Sequence, residues 1–189
     1  MLSINDLKNG SLVVIDGEPY TLMSIKHLHM GRGGASLQTK IRNLRTGQVY
    51  ERNFKPADEF EEAEIEKIAS RFLYKNRGLY WFNEAGNPKN RFSLKLEKIG
   101  DSAQFLKPNL EVQAVKFENK IINIELPIKV DYKVVEAPPA IRGDTAQGGT
   151  KTVIIETGAK ISTPLFINEG DVIRVNTQTG EYVERIEKK

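Results

Sequence analysis

The sequence predicts an all-β protein made of three small barrels. Three observations carry this: short runs of strand-forming residues recur along all 189 residues, turn dipeptides separate them, and no segment reads as a long helix. Boundaries fall near Glu64 and Pro127. The units 1–64, 65–127 and 128–189 are each close to the lower limit of independent stability, so packing between them should matter.

In the first unit, "SLVVIDGEPYTLMSIKHL" gives two strands around Asp16-Gly17, and "SLQTKIRNLRTGQVYERNF" gives two more around Thr46-Gly47. From Ser36 to Leu44, alternation sets Leu37, Thr39 and Ile41 on one face and Gln38, Lys40 and Arg42 on the other. The two runs flanking "GRGG" form a hairpin with arms of about nine residues, roughly 30 Å long at ~3.3 Å per residue, long enough to project as a finger. The acidic "ADEFEEAEIE" that follows reads as a linker or a solvated edge. Strands of the second unit are expected at 68–74, 79–82, 92–99, 110–117 and 121–126. In its "LYWF" segment, Leu79 to Phe82, alternation buries half of the aromatic cluster. A third set comes from "PIKVDYKVVEAPPAIRG", "KTVIIETGAKI" and "DVIRVNTQTGEYVERI".

Composition removes whole classes of chemistry. Without cysteine there is no disulfide, thiolate metal site or cysteine nucleophile. The N-terminus lacks a signal-peptide pattern and no run approaches the roughly 20 apolar residues of a membrane span, so a soluble cytoplasmic protein is expected. The net charge of +3 conceals a segregated distribution. Between Lys26 and Tyr50 stand Lys26, Arg32, Lys40, Arg42 and Arg45 without a carboxylate, which suits either a polyanionic partner or a solvated face.

Gly31, Gly33 and Gly34 allow close backbone approach and leave Arg32 at the hairpin tip, as a presented cation or a solubilising turn residue. No Gly-Lys-Ser/Thr and no strand-to-helix passage follows, so this is not a phosphate-binding loop. His27 and His29 share a strand face, but no third metal ligand is evident. There is no nucleophile elbow and no base for a triad beyond these histidines. The reading is a protein without catalysis, cofactor or metal.

Several motifs in order resemble the bacterial elongation factor P family over essentially the whole chain, in the form with arginine at the tip. They are "DGEPY" from Asp16, "GRGGA" followed by "TKIRNLRTG", "VDYKVVEAPPAIRGDTAQGGTK" from Val130, and the closing "TGAKISTPLFINEGDVIRVNTQTGEYVERI". In the last, Gly158, Ile161, Pro164, Ile167 and Gly170 fall at the family's signature spacing, whereas Val153 and Thr163 replace the usual alanine and valine. The resemblance implies an SH3-like, KOW-like N-terminal barrel and two OB-folds set in an L that mimics tRNA. It implies binding of a monomer to the 70S ribosome, to rRNA and ribosomal proteins, between the P and E sites. There it would position peptidyl-tRNA and relieve stalling at consecutive prolines, with no active site of its own.

By the same resemblance Gly31, Arg32 and Gly33 form the tip facing the tRNA acceptor end, and Lys26, Lys40 and Arg42 contact nucleic-acid backbone. Gly143, Asp144 and Thr145 form the loop near the E-site codon on the small subunit, and Tyr182 and Arg185 lie toward the anticodon stem. Alternation sets Tyr182 and Arg185 on opposite faces, so a shared contact would require a bend. Arginine lacks the nucleophilic amine needed for the lysine-type tip modifications. Arg32 is open to rhamnose from a dedicated glycosyltransferase, or stays bare; His29 and Met30 replace the Lys-Pro common before the tip glycine. Two alternatives stand beside this reading: the elongation factor P-like paralogue, against which the intact "GDTAQGGTK" speaks, and a generic OB-fold binder of single-stranded nucleic acid.

Overall fold

Apolar residues at alternate positions build three antiparallel sheets. The computed structural model describes residues 1–30, 33–139 and 149–188. The first sheet contains β1 (Leu2–Ser3), β2 (Leu12–Ile15), β3 (Glu18–Met30), β4 (Gly33–Asn43), β5 (Val49–Phe54) and β6 (Glu59–Glu62), in the order β1-β6-β2-β3-β4-β5. The β2–β3 turn has positive φ at both Asp16 (54°) and Gly17 (77°), the two-residue geometry whose twist matches the flanking strands. As alternation predicts, Leu37, Thr39 and Ile41 are buried, joining Val13, Leu22, Phe54 and Phe60 around the core, with Thr39 donating its hydroxyl to the Arg52 carbonyl at 2.8 Å.

The acidic segment does more than link. β6 pairs with both β1 and β2, and Phe60 and Ala63 are buried, while Glu59, Glu61, Glu62, Glu64 and Glu66 stay exposed.

The second sheet holds β7 (Ile65–Asn76), β8 (Leu79–Glu84), β9 (Asn87–Lys95), β10 (Glu111–Phe117) and β11 (Lys120–Glu125), in the order β11-β10-β7-β8-β9. The third holds β12 (Lys129–Glu136), β13 (Thr150–Ile155), β14 (Lys160–Pro164), β15 (Val172–Asn176) and β16 (Glu181–Glu187), in the order β14-β13-β12-β15-β16. Both orders are 3-2-1-4-5 along the chain, that of an OB-fold. The run expected as a strand through Ile99 stops at Lys95. Leu96–Ile99 forms a single helical turn, α1, and Gly100–Phe105 a 3₁₀ segment, which deliver Ile99 to the second sheet's core and Phe105 to the third's. No helix among the described residues is long and apolar enough to cross a membrane.

The three sheets share apolar surface, as their small size requires. Ala63, Val115, Phe117 and Ile122 pack with Leu12, Val14 and Leu44 between the first and second, where the Asn123 amide donates to the Leu44 carbonyl at 3.3 Å. Between the second and third, Phe105 joins the core formed by Tyr132, Val153, Ile155, Ile167 and Ile173. The Tyr132 hydroxyl donates to the Phe105 carbonyl at 2.6 Å, and Lys107 caps the joint by donating to the Asp131 carbonyl at 2.7 Å and meeting Glu156 at 3.1 Å.

Candidate nucleic-acid interface

Register decides which of the basic side chains act together. Across β3, β4 and β5 the rows are Lys26–Gln38–Asn53, Ser24–Lys40–Glu51 and Thr21–Arg42–Val49. Lys26, Lys40 and Arg42 therefore share the face opposite Leu37, Thr39 and Ile41, and all three are exposed. Lys26 and Lys40 are diagonal neighbours at about 7–8 Å, a spacing at which unscreened cations attract a polyanion jointly.

One counter-charge escaped the sequence reading. Lys40 meets Glu51 at 3.4 Å, both more than half exposed, a pair worth little and readily exchanged for a phosphate. The turn at Thr46-Gly47 fixes the β4–β5 register, so the signal lay in counting outward from it to Glu51. Arg45 belongs to the fold: its Nε donates to Glu18 at 2.7 Å.

The hairpin that carries this face is paired from Tyr20↔Asn43 out to Met30↔Gly33, arms of 13 and 11 residues. β5 accompanies β4 only as far as Leu37↔Phe54. The part standing clear of a third strand therefore starts at Leu28, and its three residues to Met30 add about 10 Å of the roughly 30 Å expected for the arms. Gly33 opens β4, while Gly31 and Arg32 lie outside the described residues, as do Gly143, Asp144 and Thr145. His27 is exposed on the face opposite Lys26, and among the described residues no three His, Asp or Glu side chains gather as a metal site.

In the third sheet a bulge resolves the expected conflict. Arg174 pairs with Glu184 but Val175 pairs with Tyr182, leaving Val183 as the extra residue. With Ile173 opposite Arg185, Tyr182 and Arg185 end on the same face. Tyr182 packs against the core, and Arg185 reaches Asp171, only 1% exposed, at 3.5 Å and covers the Phe166 ring at 5.0 Å. An RNA contact there would have to share an arginine that the fold already uses.

The remaining charge is segregated. A cleft of about 770 Å³ between the first two sheets is lined by Glu61, Glu62, Glu64, Glu66 and Glu118 with a single cation, Lys116, and would repel a polyanion.

Comparison with known proteins agrees across the chain. The family described as "Elongation factor P (EF-P) KOW-like domain" matches residues 3–60, and "Elongation factor P, C-terminal" matches residues 130–185. "Elongation factor P" of Moorella thermoacetica is 41% identical over 98% of this chain and 100% of its own length; that of Endomicrobium trichonymphae is 42% identical with the same coverage. The solved structure titled "Eukaryotic translation initiation factor 5A from Methanococcus jannaschii" overlaps 67% of this chain and 90% of that one, with 17% identity and a TM-score of 0.49.

Proposed function

Since this chain belongs to the elongation factor P family, translation elongation factors rather than enzymes, we propose that it binds the ribosome as a monomer between the P and E sites. There it steadies the peptidyl-tRNA so that peptide bonds form at consecutive prolines. The three units, 1–64, 65–127 and 128–189, would follow the outline of a tRNA in the cytoplasm. Arg32 faces the acceptor end between Gly31 and Gly33, bare or carrying a sugar from a glycosyltransferase; Gly143, Asp144 and Thr145 approach the E-site codon; Tyr182 and Arg185 lie toward the anticodon stem.

The observation that supports this best is the shared face of Lys26, Lys40 and Arg42 along the hairpin leading to Arg32. Proline's ring restricts its approach as acceptor and as nascent-chain residue, so the reacting ends are seldom aligned. A guanidinium offers a rigid fork of donors to phosphate or ribose oxygens and stays charged at every relevant pH. Holding the tRNA end would lower the barrier entropically. A contribution of about 2–3 kcal/mol corresponds to roughly 30- to 150-fold in rate.

The test is synthesis of a protein with three consecutive prolines in a reconstituted system lacking its own factor. Native-host protein, recombinant protein and Arg32→Ala are compared. Rescue by both wild-type preparations and loss in Arg32→Ala means the bare guanidinium suffices; rescue by native-host protein alone means Arg32 is modified. No rescue by any of them would refute the reading.

A further inference from the structure

We propose that the outward face of β7, β8 and β9 is a second RNA surface. On it, bases of a single-stranded segment stack against Tyr74 and Trp81 while Arg71, Arg91 and Lys95 neutralise the phosphates. The inference deepens the reading of a ribosomal factor and rests on it only for which RNA is met.

The register builds this face. Arg71, Asn83 and Arg91 form one cross-strand row, Tyr74, Trp81 and Ser93 the next, and Leu79 and Lys95 continue it with Asn76. A bulge at Leu73 shifts β7 so that Tyr74, and not Leu73, pairs with Trp81. The two rings lie 6.3 Å apart and 28° from parallel, with Tyr74 44% exposed. The other half of the aromatic cluster, Tyr80 and Phe82, faces inward and is buried. Tyr74 is exposed and Trp81 half-buried beside it, and every base has a face that can extend their stack.

The charges fit a phosphate chain. Arg91 and Lys95 are exposed, with no carboxylate at ion-pair distance among the described residues; Arg71 has only the exposed Glu111 at 3.5 Å. Between the arginines, Asn83 is buried, and its amide donates to the Glu84 carbonyl at 3.4 Å. These strands are the first three of the OB-fold, whose second and third strands form the face on which that fold takes oligonucleotides.

Trp81 is the chain's only tryptophan, so its emission reports on this face alone. Titrating the full-length protein at low salt with a single-stranded oligouridylate of twelve nucleotides should quench it saturably. The log–log salt slope should be about −2, as for three cations on a single strand. Tyr74→Ala should weaken binding about tenfold, and Arg91→Glu with Lys95→Glu should abolish it. Exchanging Lys26, Lys40 and Arg42 for alanine should leave quenching intact while reducing rescue at prolines, which separates this inference from the proposed function. Ultraviolet irradiation of the ribosome-bound protein should join Trp81 to RNA. Absent quenching, quenching unchanged in the variants with circular dichroism like the wild type, or a cross-link to protein instead would overturn the proposal.

Discussion

The second and third sheets have the same strand order and opposite outward faces. In the third sheet the outward row Asp131–Arg174–Glu184 clamps its one cation between two carboxylates. Arg174 donates to Asp131 at 2.7 and 3.0 Å and to Glu184 at 2.8 Å, and these carboxylates, Asp131 foremost, hold the guanidinium's pKa above its ordinary value. In the second sheet, the outward cations Arg91 and Lys95 stand beside stacked rings without such clamps. Topology alone thus does not assign a partner. Side chains at matched outward positions decide whether a barrel face satisfies its own charge or offers it.

The two barrels also divide the work of holding together. The connection before the fourth strand is α1 and the 3₁₀ segment in the second sheet, and it delivers Phe105 into the third sheet's core. Phe105→Ala should therefore cost about 3–5 kcal/mol, the range for emptying a buried phenylalanine site. Denaturant unfolding followed by Trp81 fluorescence and by far-ultraviolet circular dichroism should then give separate transitions where the wild type gives coincident ones. Coincident transitions in the variant would mean the junction is held mainly by Lys107 and the linker contacts.

Next in size is Tyr132→Phe. The variant keeps the ring but leaves the Phe105 carbonyl without its donor, at a cost of about 1–3 kcal/mol. Burial, and then the charge of Glu156, push the phenol's pKa well above its ordinary value of 10.0. The folded state thus keeps a proton that the unfolded chain releases near pH 10, so this stabilisation is complete below that pH and is lost as pH rises further. Unfolding midpoints should fall more steeply above pH 10 in the wild type than in Tyr132→Phe, and equal slopes would disprove the linkage.

What was legible in the sequence follows the range of each signal. Alternation found Leu37, Thr39 and Ile41, and Asp16-Gly17 marked its turn, because side-chain period and turn chemistry are local. The strand β6 was missed because one buried Phe60 among glutamates shows no period, and its pairing with β1 and β2 is long-range. α1 was missed because Leu94, Leu96 and Ile99 begin with strand spacing and end with helical spacing. At the sites, Lys40 and Arg42 were legible as one face, whereas Lys26 joins them only through the long-range β3–β4 register. The union of Tyr182 with Arg185, and of Tyr74 with Trp81, was not, since each depends on a bulge that reverses facing without a mark in composition.

The smallest expected effect tests the contrast between the two faces most directly. If outward charge in the third sheet is unavailable only because Asp131 and Glu184 hold Arg174, then Asp131→Asn with Glu184→Gln should free one cation without moving the backbone. Each added cation steepens the salt dependence on a single strand by about 0.7 in the log–log slope. Anisotropy of a labelled oligouridylate should therefore show a slope steeper by about that amount and tighter binding at low salt, while Trp81 quenching at saturation stays the same. The gain should vanish when Arg174→Ala is added to the same background. Were the slope unchanged, the third sheet's outward face would be closed to RNA by its shape, and its lack of aromatic rings would matter more than its paired charges.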